Sequence, residues 1–263
     1  MRIVLVRAGV WAMLGLLAAV APMARAAPVL SFHVVAEHPH DPSAFTEGLA
    51  IDRGRLIEST GRYGRSLLLI SDLATGRSLK SRRLDDRDFG EGVAVVGSHI
   101  IQLTWKGGVG FVYDFDLNRT GSFHISSEGW GLTYDGRRLI RSDGSSTLQM
   151  IDPRTFRETR RIAVRDGLQS IARINELEYA NGWLYANVWM TDRIAVIDPR
   201  SGMVHGWLDL ADLRQRFPKP PDWDEADYVL NGIAYDPTTG HFFVTGKCWP
   251  VMYEIALDRR SQR

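Results

Sequence analysis

Four polar residues and a tryptophan recur at one point of a repeated segment. Glu47 opens "EGLAIDRGRLIEST", Glu91 opens "EGVAVVGSHIIQLTW", Asn175 opens "NELEYANGWLYANVW" and Asn231 opens "NGIAYDPTTGHFFVTGK". Trp130 takes the same place in "WGLTYDGRRLIRSDG". A second matching point, at the far end of each segment, holds Gly61, Trp105, Gly144, Trp189 and Lys247. Lys247 is one of only four lysines, against 28 arginines, and its neighbours are apolar or aromatic. These residue types suit charge chemistry. A carboxylate can carry a proton in either direction. A lysine or a carboxamide can donate to an oxygen that gains negative charge, and aromatic faces tolerate a cationic amine. Oxygen donors converging on one point can also ligate a hard cation such as Ca²⁺.

The elements that bring these positions together can be read from the same segments. Each has a short apolar strand, a tight turn (Arg53-Gly54, Gly97-Ser98, Asp135-Gly136, Asn181-Gly182, Pro237 to Gly240) and a second apolar strand. A third strand follows: "SLLLISD", "FVYDFD", "LQMIDP", "IAVIDP" and "MYEIAL". A fourth follows in four copies: "SLKSRRL", "GSFHIS", "RETRRIAV" and "MVHGWLDL". The fifth copy lacks one, but the alternating stretch Ser31 to His38 ahead of the first copy can supply it. Anchor spacings of 39 to 56 residues are those of four-stranded propeller blades. The sequence therefore predicts an all-β, five-bladed β-propeller whose ring is closed by an N-terminal strand completing the last blade. Residues 209–228 read as a short helix and proline-rich loop inserted before the fifth unit. The two matching points lie at opposite chain ends of one hairpin, hence at the same end of an antiparallel pair. Both rings are expected at one mouth of the central channel.

The chain has 263 residues, 44% hydrophobic content and a formal net charge of +1, with no block of like charge. This balance gives no electrostatic reason to expect nucleic acid or an acidic membrane as partner. Arg2 and Arg7 precede an apolar run from Ala8 to Ala21, and Ala24-Arg25-Ala26 offers small residues for a signal peptidase. Residues 1–26 read as a signal peptide, and residues 27–263 as an exported propeller domain, periplasmic or secreted. The alternative is an uncleaved anchor, for which the run is short. The lone Cys248 permits no internal disulfide, so packing must hold the fold. HExxH, GxSxG and P-loop patterns are absent, which leaves nucleophilic hydrolysis and nucleotide binding without support.

Each candidate has a structural alternative. Glu47 and Glu91 can be solvated loop carboxylates, Asn175 and Asn231 can close backbone turns, and Lys247 can be half of a structural ion pair. Trp183, Trp207 and Trp249 lie off the ring positions and are expected in inter-blade core, and Cys248 is expected to be an inert small core residue.

Five segments carry a resemblance. Residues His40 to Asp52 ("HDPSAFTEGLAID"), Glu58 to Ser66, Phe89 to Val95, Asn175 to Gly202 and Leu230 to Pro250 resemble the plant and bacterial type of glutaminyl cyclase. That resemblance spans nearly the whole mature chain. It implies a five-bladed propeller that converts N-terminal glutamine of peptides or proteins to pyroglutamate, releases ammonia and needs no metal or other cofactor. It also implies that Glu91 is the acid/base, that Asn175 and Lys247 hold the substrate, and that Phe45, Phe89, Trp105, Trp130 and Trp189 form an aromatic pocket. Many members have glutamine where this chain has Glu47. That extra carboxylate is expected to bind the substrate ammonium or to share a proton with Glu91. A closed ring has no inner edge that demands a partner, so a monomer is expected. Two other readings stand beside this one: a Ca²⁺-dependent propeller hydrolase such as a lactonase, and a non-catalytic propeller that holds peptide ends.

Overall fold

The computed structural model describes residues 26–258. Residues 1–25, which hold nearly all of the expected signal peptide, and residues 259–263 lie outside the described residues. Strand β1 (Phe32–Pro39) comes first. Blade one is β2 (Thr46–Asp52), β3 (Arg55–Thr60), β4 (Leu67–Asp72) and β5 (Ser78–Arg83). Blade two is β6 (Gly90–Val96), β7 (His99–Thr104), β8 (Val109–Tyr113) and β9 (Arg119–His124). Blade three is β10 (Leu132–Tyr134), β11 (Leu139–Arg141), β12 (Thr147–Ile151) and β13 (Glu158–Ala163). A small ribbon, β14 (Arg165–Asp166) with β15 (Gln169–Ser170), leads to blade four: β16 (Ile174–Ala180), β17 (Trp183–Val188), β18 (Arg193–Ile197) and β19 (Val204–Asp209). The one-turn helix α1 (Ala211–Arg214) and a long loop precede β20 (Leu230–Asp236), β21 (His241–Gly246) and β22 (Val251–Leu257) of blade five.

The fifth sheet runs β1-β22-β21-β20, so β1 is its outer strand, as the alternation in Ser31–His38 predicts. Phe32 pairs with Leu257 at one end of the seam and Pro39 with Val251 at the other. His38 meets the Glu254 carboxylate across it at 3.0 Å, and His241 of β21 meets the same carboxylate at 2.6 Å from the other side. The ring thus closes on hydrogen bonds between the two ends of the chain, and each blade finds cover for both of its faces.

The apolar core is divided by the same logic. One buried cluster lies at each of the five blade junctions: Ile57 and Leu68 against Val93 and Ile100, Leu103 against Leu139, Ile140 and Leu148 against Leu177 and Leu184, Tyr185 and Ile194 against Ile233 and Phe242, and Leu49 against Ala234 and Phe243. Leu213 and Phe217 of the insertion extend the fourth junction, and Trp249 packs there against Phe217. Trp207 and Trp249 are core residues as expected, whereas Trp183 is only partly buried, stacked on His205.

At the hub the inner strands touch backbone to backbone. The residue after each anchor is glycine in four copies (Gly48, Gly92, Gly131, Gly232) and Glu176 in the fourth. A Cβ at Gly92 would lie 2.5 Å from the Trp130 oxygen, and one at Gly131 would lie 2.1 Å from the Asn175 carbonyl oxygen. Backbone atoms cannot step aside as a flexible side chain can. Gly131→Ala is therefore expected to lower stability by about 1–3 kcal/mol or more through overpacking, seen as a lower thermal midpoint in circular dichroism. An unchanged midpoint would mean that blades three and four do not meet there.

Candidate active site

The anchor residues owe their direction to β-bulges. Blades one, two, four and five each carry one extra residue on the inner strand relative to its partner. The irregularities fall between Thr46 and Gly48, Gly90 and Val93, Ile174 and Leu177, and Leu230 and Ile233. Glu47, Glu91, Asn175 and Asn231 sit inside them. A bulge re-aims a side chain out of the regular pleat, so residues at strand ends come to face the channel mouth. In blade three β10 starts only at Leu132, after Trp130 and Gly131.

All nine predicted site residues line one cavity of about 280 Å³: Phe45, Glu47, Phe89, Glu91, Trp105, Trp130, Asn175, Trp189 and Lys247. Its size is at the small end of ligand pockets, which run to about 300–1,000 Å³. It has room for one residue of a peptide rather than a length of chain. Asn231 is not in the lining. Its amide donates to the Thr46 carbonyl at 2.9 Å and to Glu47 Oε2 at 3.3 Å, fixing the neighbouring bulge.

The walls are aromatic. Phe45, Phe89 and Trp105 run in edge and tilted contacts with centroids 6.2 and 5.4 Å apart, and Trp130 meets Trp189 edge-on at 5.7 Å. The two glycines of the second ring leave space for these rings. A Cβ at Gly61 would fall 2.3 Å from Phe89, and one at Gly144 would fall 2.7 Å from Trp130. Both indole N–H groups of Trp105 and Trp130 donate to Glu128 Oε2, at 2.7 and 3.0 Å, so one carboxylate orients two walls.

Lys247 projects from the end of β21, donates to Glu47 Oε1 at 2.8 Å and lies 4.7 Å from the centre of the Phe45 ring. The structural ion pair is therefore real, and it is inside the pocket. Glu47, Glu91, Asn175 and Lys247 are all buried. The Asn175 side-chain oxygen has no partner. Since amide oxygen and nitrogen exchange places on a half-turn, this carboxamide has hydrogen-bonding capacity left for a ligand. Among the described residues, no group of three or more His, Cys, Asp or Glu is arranged to hold a metal. Where a cation would meet Glu47, the Lys247 ammonium already sits.

Comparison with known proteins now decides the family. The glutamine cyclotransferase profile matches residues 8–257. The glutaminyl-peptide cyclotransferase of Arabidopsis thaliana is 42% identical over 233 residues, which is 88% of this chain and 72% of that protein. The crystal structure of Myxococcus xanthus glutaminyl cyclase matches with a TM-score of 0.78 at 36% identity, covering 88% of this chain and 98% of that one. The chain belongs to the glutamine cyclotransferase family.

In this glutamine cyclotransferase the pocket electrostatics are dominated by burial. Loss of solvent raises the Glu47 carboxyl to about 7, against the opposing pull of Lys247. The Glu91 carboxyl stands well above the ordinary range, first through burial and next through the Glu47 charge, with Lys247 again opposing. Below the pocket, Glu176 and Glu178 of β16 occupy the channel. Glu176 accepts from the Ile233 N–H at 2.8 Å and the Leu49 N–H at 3.3 Å, in blades five and one. Glu178 accepts from Tyr235 N–H at 3.0 Å. Burial raises Glu176 well above its usual range and Glu178 to about 8.

Of five further residues at or behind the pocket, four left no signal in the repeat. Arg62 and Asp227 line the cavity, paired at 3.4 Å, with Arg62 stacked 4.5 Å from the Phe45 ring centre. Glu128, Glu176 and Glu178 are the others. Only Glu176 left a trace, as the exception to glycine at its repeat position.

Between the ordinary carboxyl value near 4.5 and about 8, the folded chain holds more protons on Glu47, Glu91, Glu176 and Glu178 than the unfolded chain does. Stability then falls as pH rises through that window. The thermal midpoint is expected to be higher at pH 5 than at pH 8, and Glu178→Gln should flatten the slope. A midpoint that rises from pH 5 to pH 8 would contradict the burial of these carboxyls.

Proposed function

We propose that this protein is a glutaminyl-peptide cyclotransferase, acting on peptides and proteins with N-terminal glutamine, and that Glu91, Asn175 and Lys247 are its working groups. The observation that carries this reading is the meeting of an acid, an unpartnered carboxamide and an ammonium in one aromatic cavity sized for a single residue.

The reaction joins the α-amine nitrogen to the side-chain carboxamide carbon of the same residue. A C–N bond forms to close the lactam, and the original carboxamide C–N bond breaks to release ammonia. Nucleophile and electrophile are tethered, so the site's main task is to fold the side chain into attack geometry. Phe45, Phe89, Trp105, Trp130 and Trp189 supply the walls for that fold, and their faces accept a cationic amine before it loses its proton.

One proton must leave the amine and one must reach the departing nitrogen. Glu91 serves both transfers. An unperturbed α-amine titrates near 8, and burial lifts the Glu91 carboxyl toward it. Proton exchange between the two is thereby brought closer to balance, where general acid–base catalysis is most effective. Negative charge appears on the amide oxygen in the tetrahedral intermediate. Lys247 has three N–H donors and spends one on Glu47. The others, with the Asn175 amide, can meet that oxygen. Glu47 holds Lys247 in place and adds negative charge beside the substrate ammonium.

The reading extends to an exported monomer, freed by cleavage after Ala26. It is supported by Arg2 and Arg7 ahead of the apolar run and by the small residues at 24–26. Among the described residues, no helix is long and apolar enough to cross a membrane.

Glu91→Gln is expected to lower ammonia release from a Gln-initiated peptide by about 10²- to 10⁴-fold, with the thermal midpoint retained or raised. Full turnover in that variant would remove Glu91 from the mechanism. Glu47→Gln should move the acid limb of the kcat/KM–pH profile to lower pH. The neighbouring negative charge that raises Glu91 is gone, and the freed Lys247 charge pulls the same way. An acid limb that stays put or moves up would show that Glu47 does not act on Glu91.

A further inference from the structure

We propose that His40 is a cationic positioning residue for the pocket, clamping the Trp249 carbonyl and the Glu58 carboxylate at once and so fixing the backbone on both sides of the Lys247–Glu47 pair. Its effect on activity rests on the cyclotransferase reading above; the state of the ring rests on geometry alone.

His40 Nδ1 lies 2.8 Å from the Trp249 carbonyl oxygen, and Nε2 lies 3.1 Å from Glu58 Oε1. The imidazole is 5% exposed and the Glu58 side chain 8%. A carbonyl oxygen can only accept. The Glu58 oxygen that faces the ring also takes the Thr46 hydroxyl at 2.7 Å. A neutral imidazole has one N–H, so it can serve one of these partners and turns a lone pair on the other. An imidazolium serves both.

Each partner leads to one half of the catalytic pair. Trp249 belongs to the turn that follows Lys247, in which Cys248 has a φ of 59°. A non-glycine residue keeps that left-handed conformation only where its surroundings hold it. The His40 ring, the His40 N–H to the Pro250 carbonyl (3.0 Å) and the Cys248 N–H to the Ala44 carbonyl (2.8 Å) do the holding. On the other side Glu58 anchors Thr46, the residue before Glu47, whose carbonyl also receives the Asn231 amide. None of these contacts touches the cavity, so His40 acts through Lys247 and Glu47.

The charged groups that act on the ring are Glu58 from β3 and Asp41 from its own loop. The turn contributes the Trp249 carbonyl, and β2 contributes only the Thr46 hydroxyl. Burial disfavours the cation, but these partners outweigh it and the group stands above its ordinary 6.5. Both bonds are therefore present together below pH 6.5, and one of them is lost as pH rises through the raised value.

The test measures kcat/KM for a Gln-initiated peptide from pH 5 to pH 9 in wild type, His40→Gln and Glu58→Gln. In His40→Gln the side chain is neutral at every pH, and a carboxamide set between the two acceptors turns N–H to one and its carbonyl oxygen to the other. Wild type is expected to exceed that variant by about tenfold at pH 6, the scale of one lost charge-assisted hydrogen bond, with the ratio falling toward one by pH 9. Dividing by the variant removes the titration of the substrate amine. In Glu58→Gln the alkaline decline should begin at lower pH, since an anion that favours the cation is gone. A wild-type to His40→Gln ratio that does not change with pH overturns the proposal. The ring is read separately by ¹⁵N NMR of histidine-labelled wild type, where both His40 nitrogens should carry protons at pH 6. A neutral tautomer at pH 6 overturns the proposal even if the variants fail to fold. Absence of cyclisation with every peptide would instead sink the functional reading, and the NMR result would still decide the clamp.

Discussion

Lys247 and Glu47 are 200 residues apart in the chain and 2.8 Å apart in space, almost out of reach of water. The pair can exist only if the first and last blades meet. Strand β1 and the junction of Leu49 with Ala234 and Phe243 make that meeting. A buried ion pair is a poor source of stability, because the loss of hydration offsets much of the attraction. Its value here is electrostatic. Lys247 keeps Glu47 near neutrality in its titration rather than far above it, and Glu47 keeps an ammonium buried beside Glu91. The cavity can then offer donors and an acid together, which neither residue would supply alone in an apolar box.

The backbone that holds this chemistry is irregular in a regular way. Four inner strands interrupt their pleat at the same place, and the side chain thrown out there is Glu47, Glu91, Asn175 or Asn231. One step along, glycine lets the hub close to backbone contact at Gly92 and Gly131. Glu176 takes the corresponding place in blade four, and its carboxyl reaches N–H groups of blades five and one. Four absent side chains make the space that the fifth fills. The hub is thus tied across the channel directly beneath the bulges, where small shifts would swing the pocket residues most.

The repeat made much of this legible. Equivalent positions in a closed ring share a radius and a height, so matching five short segments gathers seven of the nine pocket residues, and the family resemblance adds Phe45 and Phe89. Asn231 shows the limit of that inference. It obeys the repeat, yet its amide turns to Thr46 and Glu47 because the bulge carbonyl beside it needs a donor. The loops between repeats were opaque for the opposite reason. Arg62 follows β3, Asp227 ends the insertion, and Glu128 lies between blades two and three. Their residue types do not recur at the matching positions of the other copies, so the repeat says nothing about where they point. The ribbon of β14 and β15 escaped notice likewise, since two residues cannot show alternation. His40 carried a different kind of silence. Its motif was visible, but no sequence pattern reveals that both faces of a ring meet acceptors.

Burying carboxyls works against the fold that holds them. Each raised acid is a group the unfolded chain would ionise more easily, so the native ring gives up stability as pH climbs. A pocket that holds a carboxyl well above its ordinary range has few alternatives to burial, because solvent exposure would return Glu91 to that range. The five apolar junctions and the strand pairing at the seam are what make this tolerable in a chain with a single cysteine and no internal disulfide. The inner-strand bulges, the left-handed Cys248 and the buried Glu47, Glu91, Glu176 and Glu178 lie at the hub or its mouth, while the outer strands, such as β5 and β9, are largely exposed and polar. A ring of blades can carry an uncomfortable centre because each junction stabilises its neighbours independently of the groups that meet at the axis.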